Sequence, residues 1–215
     1  MIPGPDYVYE CPKCGQFIAK ESMMSGNTFE ATIYSDGKTE APMLLDTPEI
    51  TRCRACGKIF WLGKSKLIGS YDWKSKTKSG LWFSDRARFL TLTEYFMALN
   101  SGLAENPDEE LYIRRRIWWA YNDRIRRDRE GRLFLDDEDK ENWKMNCDEL
   151  LRLLDPEIIN HRIMAAEIHR NLGDFEECKK LLQPIQSEIY DFLKSRLLYE
   201  CDNSNRLVVP LKSND

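Results

Sequence analysis

Two short stretches of the 215-residue chain, "ECPKCGQF" at residues 10–17 and "TRCRACGKIFW" at residues 51–61, share one pattern. Each contains a Cys-x-x-Cys-Gly turn that runs into an apolar segment, and the glycine allows the backbone to reverse direction there. Together the two turns supply four thiolates, which is the number that a tetrahedral Zn²⁺ ion takes. The spacing therefore predicts one metal site, formed by Cys11, Cys14, Cys53 and Cys56.

These turns resemble the zinc knuckles of the zinc-ribbon family, which have the form Cys-Pro-x-Cys-Gly. The resemblance covers roughly the first third of the chain and implies a small β domain built around one structural zinc ion. Because cysteine would fill all four coordination positions, no place is left at the metal for water or substrate. Iron is the alternative metal, since rubredoxins hold it on similar knuckles.

The composition is that of a soluble globular protein, with 42% hydrophobic and 32% charged residues. The first residues lack the basic start and apolar core of a signal peptide, and no stretch approaches the ~18 apolar residues of a membrane span. We therefore expect a cytoplasmic protein that is not inserted in a membrane. In a reducing compartment, paired cysteines favour metal binding over disulfides.

Charge is distributed unevenly along the chain, whose formal net charge is -4. Between Arg52 and Lys78 there are eight basic residues and one acidic residue, Asp72. Aromatic residues are interleaved with this basic stretch, so Lys64, Lys66 and Trp73 are candidates for a nucleic-acid-binding surface. The alternative is that the aromatic residues of the stretch pack in a core: Phe60, Trp61, Tyr71 and Trp73.

The pattern of apolar residues predicts an α+β protein with the β part first. Alternation at Phe29, Ala31 and Ile33, followed by the turn pair Asp36-Gly37, favours a β-hairpin between the two cysteine turns. From about residue 91 the apolar period becomes helical. The predicted ranges are a zinc ribbon at 1–73, a linker at 74–90, a helical repeat-like domain at 91–202 and a tail at 203–215, either loose or docked.

Signals for helix ends divide the second part of the chain. Asn106 and Pro107 are typical of a helix start, and the acidic residues that follow favour the positive end of the helix dipole. This helix is expected to run to Gly131. The polar segment "DDEDKEN" at 136–142 is interpreted as a loop between helices.

One face of the helix that starts at Pro107 combines arginines with aromatic residues. The five residues that we single out there are Tyr112, Arg115, Arg116, Trp119 and Arg126. Such a face can stack on bases or bind an acidic peptide. The alternative is that Trp119 packs against a neighbouring helix with the arginine stems beside it.

Residues 157–190 resemble a tetratricopeptide repeat, a helical hairpin that stacks into solenoids. Ala166 and Cys178 match the small residues of its two helices, and Gly173 matches the turn. The pattern is not kept at Arg162 and Tyr190, where an aromatic residue and a proline are usual. The resemblance implies a degenerate repeat-like bundle with a surface for a protein or peptide partner.

These observations lead to one main functional expectation and one alternative. We expect a non-enzymatic zinc-binding adaptor, because no catalytic motif is present and the predicted metal site is closed. The alternative is a nucleic-acid-binding protein that uses the basic stretch at 52–78 and the arginine-aromatic helix face.

Overall fold

A computed structural model describes residues 1–72, 84–128 and 131–211. The described chain is a mixed α+β protein with strands in its first part and helices in its second, which confirms the predicted class. Its contacts divide it into two compact units. Unit 1 is Met1–Ala31 with Ala41–Leu103, and unit 2 is Thr32–Glu40 with Ala104–Asp215.

The strands in the described residues are all short. Their bounds are β1 (Ile2–Pro3), β2 (Asp6–Glu10), β3 (Phe17–Lys20), β4 (Met23–Ser25), β5 (Thr32–Ile33), β6 (Thr39–Glu40), β7 (Ile50–Arg52), β8 (Ile59–Trp61), β9 (Leu67–Tyr71) and β10 (Asp85–Arg86).

In unit 1, both cysteine turns are the loops of antiparallel hairpins. The first turn joins β2 to β3, where Glu10 pairs with Phe17, and the second joins β7 to β8, where Arg52 pairs with Ile59. Strand β9 pairs with β2 in antiparallel fashion and β10 lies parallel to β3, so the sheet has the order β10-β3-β2-β9. The pairing of β9 with β2 connects the segment after the second turn to the hairpin of the first.

A helix, α1 (Leu92–Asn100), also belongs to unit 1. It starts with a capping box in which the Thr91 side chain accepts a hydrogen bond from the Glu94 amide and the Glu94 carboxylate accepts one from the Thr91 amide. The buried Glu94 carboxylate also accepts hydrogen bonds from Arg52 and Arg88. These bonds attach α1 to the β part of the unit.

Five helices form most of unit 2: α2 (Pro107–Arg127), α3 (Asp137–Arg152), α4 (Ile159–Leu172), α5 (Phe175–Leu182) and α6 (Glu188–Asp202). Helices that are consecutive in the chain pack on one another. The Asn106 side chain caps α2 and Pro107 is its first residue, as the sequence predicts. No helix in the described part of the chain is long and apolar enough to cross a membrane.

The predicted polar loop at 136–142 is wrong, because α3 already starts at Asp137. The Asp136 side chain caps this helix by accepting a hydrogen bond from the Asp139 amide. Acidic residues in a first helical turn interact favourably with the helix dipole, so the same acids that indicate a loop also stabilise a helix start. Asp139 in turn accepts hydrogen bonds from Arg124 and from the Tyr121 hydroxyl.

The β-hairpin around Asp36-Gly37 exists but differs from the prediction in extent and location. Its strands are only β5 and β6, and Phe29 lies outside them with 76% of its surface exposed. The hairpin belongs to unit 2, where the Ser35 hydroxyl donates to Glu167 over 2.6 Å and the Asn122 amide donates to Asp36 over 2.7 Å. It therefore does not join the two cysteine turns.

The predicted tail is docked over its described part. Arg170, whose side chain is fully buried, donates hydrogen bonds to the backbone carbonyls of Asn205 and Leu207. The Leu211 amide donates to the Ile33 carbonyl over 2.8 Å, and Val209 is buried. These contacts fix the segment to α4 and to the hairpin, while 212–215 lie outside the described residues.

The second half of the predicted linker at 74–90 is part of unit 1. Strand β10 pairs with β3, and Leu90 is buried, so 84–90 belong to unit 1. Residues 73–83 lie outside the described residues. The contacts group α1 with unit 1 and residues 32–40 with unit 2. The domain ranges given by the sequence stay a prediction.

Gly173 provides a test of the turn between α4 and α5. Its φ of 91° lies in the left-handed region. A Cβ at this position would lie 2.9 Å from the guanidinium carbon of Arg206. That guanidinium donates hydrogen bonds to the Asn171 and Leu172 carbonyls at the end of α4. We expect Gly173→Ala to lower the free energy of unfolding of unit 2 by about 1–2 kcal/mol, measured by urea denaturation. Lys180→Ala, which shortens an exposed side chain of α5 in the same unit, is the control, and equal stability of the two variants would contradict the expectation.

Candidate metal centre

The four predicted cysteine ligands meet at one point of unit 1, with their sulfur atoms all within 4.8 Å of one another. The Cys11 and Cys56 sulfurs are 3.7 Å apart, and the Cys14 and Cys53 sulfurs are 3.6 Å apart. A tetrahedron with metal–sulfur bonds of about 2.3 Å has edges of about 3.8 Å. A disulfide would bring two sulfurs to about 2.05 Å. The arrangement therefore fits four separate ligands around one metal ion.

The two cysteine turns have the same backbone structure. In each turn the first cysteine amide donates to a carbonyl five residues later, the glycine amide donates to the first cysteine carbonyl, and the glycine has a φ of 74°. The distances agree within 0.1 Å: Cys11 to Gln16 2.8 Å, Cys53 to Lys58 2.9 Å, Gly15 to Cys11 3.0 Å and Gly57 to Cys53 2.9 Å. A left-handed glycine at this position permits the tight reversal that turns both sulfurs to one side.

Backbone amides support the second sulfur of each turn. The Lys58 amide is the main reason that the pKa of Cys56 is lowered to about 7. The Gln16 amide likewise lowers the pKa of Cys14, but hydrogen bonding with Cys56, desolvation and hydrogen bonding with the other two thiols together outweigh it and raise that pKa to about 12. Four thiols this close cannot all ionise unless a cation compensates their charge, and a bound metal ion supplies that charge.

Burial divides the four ligands into two pairs. Cys11 and Cys53, the first cysteine of each turn, are buried together with Phe60 and Leu62 in the apolar core of unit 1. Cys56 is partly buried and Cys14 is exposed. The site is thus closed on its core side and reaches solvent at Cys14, which gives a metal ion a route of entry.

Arg52 connects the second turn to α1. Its Nε donates to the Gly57 carbonyl over 3.3 Å, and its guanidinium donates to Glu94 over 3.0 Å. Hydrogen bonds from Arg88 first, and from the Thr91 amide and Arg52 in addition, hold the pKa of Glu94 well below its usual range. The sequence analysis places the start of the helical part at about residue 91, close to the start of α1, but it missed the contacts of Arg52 and Arg88 with Glu94.

The candidate surface residues of unit 1 are partly engaged within the unit. Lys64 and Lys66 are exposed, and Lys66 forms an ion pair with Glu10 at 3.0 Å. The Trp61 indole donates a hydrogen bond to the Leu103 carbonyl, and Phe60 is buried. Both side chains therefore pack within unit 1, as the alternative interpretation of the aromatic residues expected. Trp73 lies outside the described residues.

On α2, four of the candidate residues lie together. The Arg115 and Arg116 guanidinium carbons lie 5.0 Å and 5.2 Å from the centre of the Trp119 ring, and Arg116 also lies over Tyr112 at 5.3 Å. The Trp119 indole donates to the Asp36 carbonyl over 3.0 Å. The tryptophan is therefore half-buried and in contact with the hairpin of unit 2.

Arg126, which the sequence placed on the same face, is buried and cannot contact a binding partner there. Its side chain is only 1% exposed and forms ion pairs with Asp36 and Asp123, and its guanidinium lies over the Tyr34 ring. Helical periodicity places Arg126 on a polar face, but the hairpin covers that part of α2 and neutralises the arginine with a buried carboxylate.

Comparison with known proteins gives no family for this chain: no family model matches it, and neither does any curated protein or solved structure. The account of its function therefore depends on the geometry of the chain itself.

Substitution of a single ligand tests the centre. We expect one metal ion per purified chain, and we expect Cys53→Ser to carry less than about a tenth of that amount, because a serine hydroxyl does not replace a thiolate in such a site. Loss of the ion should also unfold unit 1, seen as loss of its near-ultraviolet circular dichroism. Cys147→Ala, which removes a buried thiol of α3, should keep the full metal content. Full metal content in Cys53→Ser would contradict the assignment.

Proposed function

We propose that the chain is a non-enzymatic zinc-binding interaction protein, in which a zinc-ribbon-like unit is stabilised by one structural Zn²⁺ ion and a helical unit binds a protein or peptide. The observation that carries the zinc part is the cluster of four cysteine sulfurs within 4.8 Å on two matching turns. Four thiolates favour zinc among the available divalent cations.

A structural rather than a catalytic role follows from the ligand set. A catalytic zinc ion keeps one coordination position for water or substrate, whereas four cysteines occupy all positions of a tetrahedron. When bound, the ion supplies positive charge that holds the two turns together. The chain supplies the Gln16 and Lys58 amides to the sulfurs and buries Cys11 and Cys53 in its core. Iron on the same ligands is the alternative, and it would give a coloured protein.

Support for a protein-binding helical unit comes from the repeat-like segment at 157–190. Ala166 on α4 and Cys178 on α5 are both fully buried, so small residues lie where these two helices pack closely. Gly173 takes the left-handed conformation that the turn of a helical hairpin requires. Stacked helical hairpins present extended surfaces that are suited to peptides and proteins.

Nucleic-acid binding is the second candidate, favoured by exposed basic residues on unit 1. Arg54, Lys58 and Lys64 are exposed near the second turn and the strand after it. The arginine-aromatic face of α2 favours it less, because the Trp119 ring already has two guanidinium groups over it and its indole is bonded to Asp36. We therefore place protein binding first.

The experiment that separates these functions uses the full metal-loaded chain. Labelled single-stranded and duplex oligonucleotides of mixed sequence are titrated at low salt, and the immobilised chain is exposed to nuclease-treated extract. If the chain binds protein, it should bind neither oligonucleotide even as tightly as ~100 µM, the weak end of non-specific binding. It should also retain a protein from the nuclease-treated extract. Failure to retain any protein would contradict it.

Salt-sensitive oligonucleotide binding would instead support the second candidate, because phosphate contacts release counterions. In that case Lys58→Glu with Lys64→Glu should weaken binding at least tenfold. Lys180→Glu, which reverses the charge of an exposed lysine on α5, is the matched control.

A further inference from the structure

Helix α6 carries an exposed apolar stripe that the fold of unit 2 does not require. Ile189, Phe192 and Tyr199 are 86%, 56% and 60% exposed, and Arg196 lies between Phe192 and Tyr199. The spacing of these four residues, i, i+3, i+7 and i+10, places them along one side of the helix. We call them the α6 stripe.

The opposite side of α6 already forms the core of the unit. Leu197 and Cys201 are buried with Ala166, Cys178 and Leu182, and α6 packs there on α5. An amphipathic helix needs one apolar side for this purpose and is polar on the other. The α6 stripe is therefore a second apolar side, of the kind that mediates helix-to-helix recognition between proteins.

The charges beside the stripe indicate which partner fits. Glu188 and Asp191 are exposed next to Ile189 and Phe192, and Asp202 follows at the end of the helix, where it pairs with Lys179. Arg196 is itself neutralised by Glu200 at 2.8 Å and stacks over Tyr199. The Lys194 ammonium donates to the Gln183 and Ile185 carbonyls. With Asp202 and Arg196 both paired, the acidic excess is therefore local: it comes from Glu188 and Asp191, beside the Ile189 and Phe192 half of the stripe.

We propose that the α6 stripe is a docking site for an amphipathic helix of another protein, with lysine or arginine residues flanking its apolar side. This inference rests on the proposed protein-binding function and names the surface and the chemistry of the partner. A second copy of the chain fits less well: in a parallel pair Glu188 and Asp191 of the two copies would face each other, and in an antiparallel pair they would face Arg196 and Glu200, whose charges are already paired.

The test uses a synthetic amphipathic peptide of leucine and lysine, about 18 residues long so that it can form a helix. It is titrated against the full metal-loaded chain by calorimetry. We expect Phe192→Ser and Ile189→Ser each to weaken binding at least tenfold. Met145→Ser, at a residue of α3 that is 56% exposed, should leave binding unchanged, and a peptide with glutamate in place of lysine should not bind.

Equal binding by Phe192→Ser and the wild type, or equal binding of the glutamate peptide, would overturn the inference. So would a wild-type dimer in sedimentation that Phe192→Ser dissociates, because the occupant would then be a second copy. If the chain retains a protein from nuclease-treated extract and Phe192→Ser retains it equally, only the assignment of the docking site to the α6 stripe is wrong. If neither retains any protein, the proposed function itself fails.

Discussion

Four cysteine sulfurs within 4.8 Å of one another form the constraint on which unit 1 depends. Anionic thiolates at such distances repel, and neutral thiols gain little from weak hydrogen bonds, so a cation is needed to make the arrangement stable. Two of these cysteines, Cys11 and Cys53, are also members of the small apolar core with Ile18, Phe60 and Leu62. The cysteine cluster and the core are therefore one structure, and short strands of two to five residues can fold around it.

In unit 2, buried charges bring separate segments of the chain together. Glu167 and Arg170 are fully buried on α4, and they bind Ser35 of the hairpin and the backbone carbonyls of the segment after α6. Arg126 pairs with Asp36 in the same way. Such pairs contribute less to stability than apolar contacts of the same size, but an unpaired partner would be costly. We infer that they specify where the hairpin and the C-terminal segment dock.

What could be predicted from the sequence was local in character. The cysteine quartet is recognisable because the same five-residue turn occurs twice, and the start of α2 because Asn106 and Pro107 are adjacent. The docking of the hairpin was not predictable, since Ser35 meets Glu167 across 132 residues. Arg126 was misplaced for the same reason: helical periodicity shows a polar face but does not show that Asp36 covers it. The start of α3 was missed because the acids of 136–139 suit both a loop and a helix start.

The measurement that tests the central claim most directly is hydrogen–deuterium exchange with mass spectrometry, before and after removal of the metal with a chelator. The account predicts that amide protection is lost in the two hairpins, at residues 6–20 and 50–61, and retained in α2 to α6, because only unit 1 is built around the ion. Unchanged protection of both hairpins in the metal-free protein would contradict the claim that the metal organises unit 1. Loss of protection throughout α2 to α6 would contradict the claim that buried charges hold unit 2 without it.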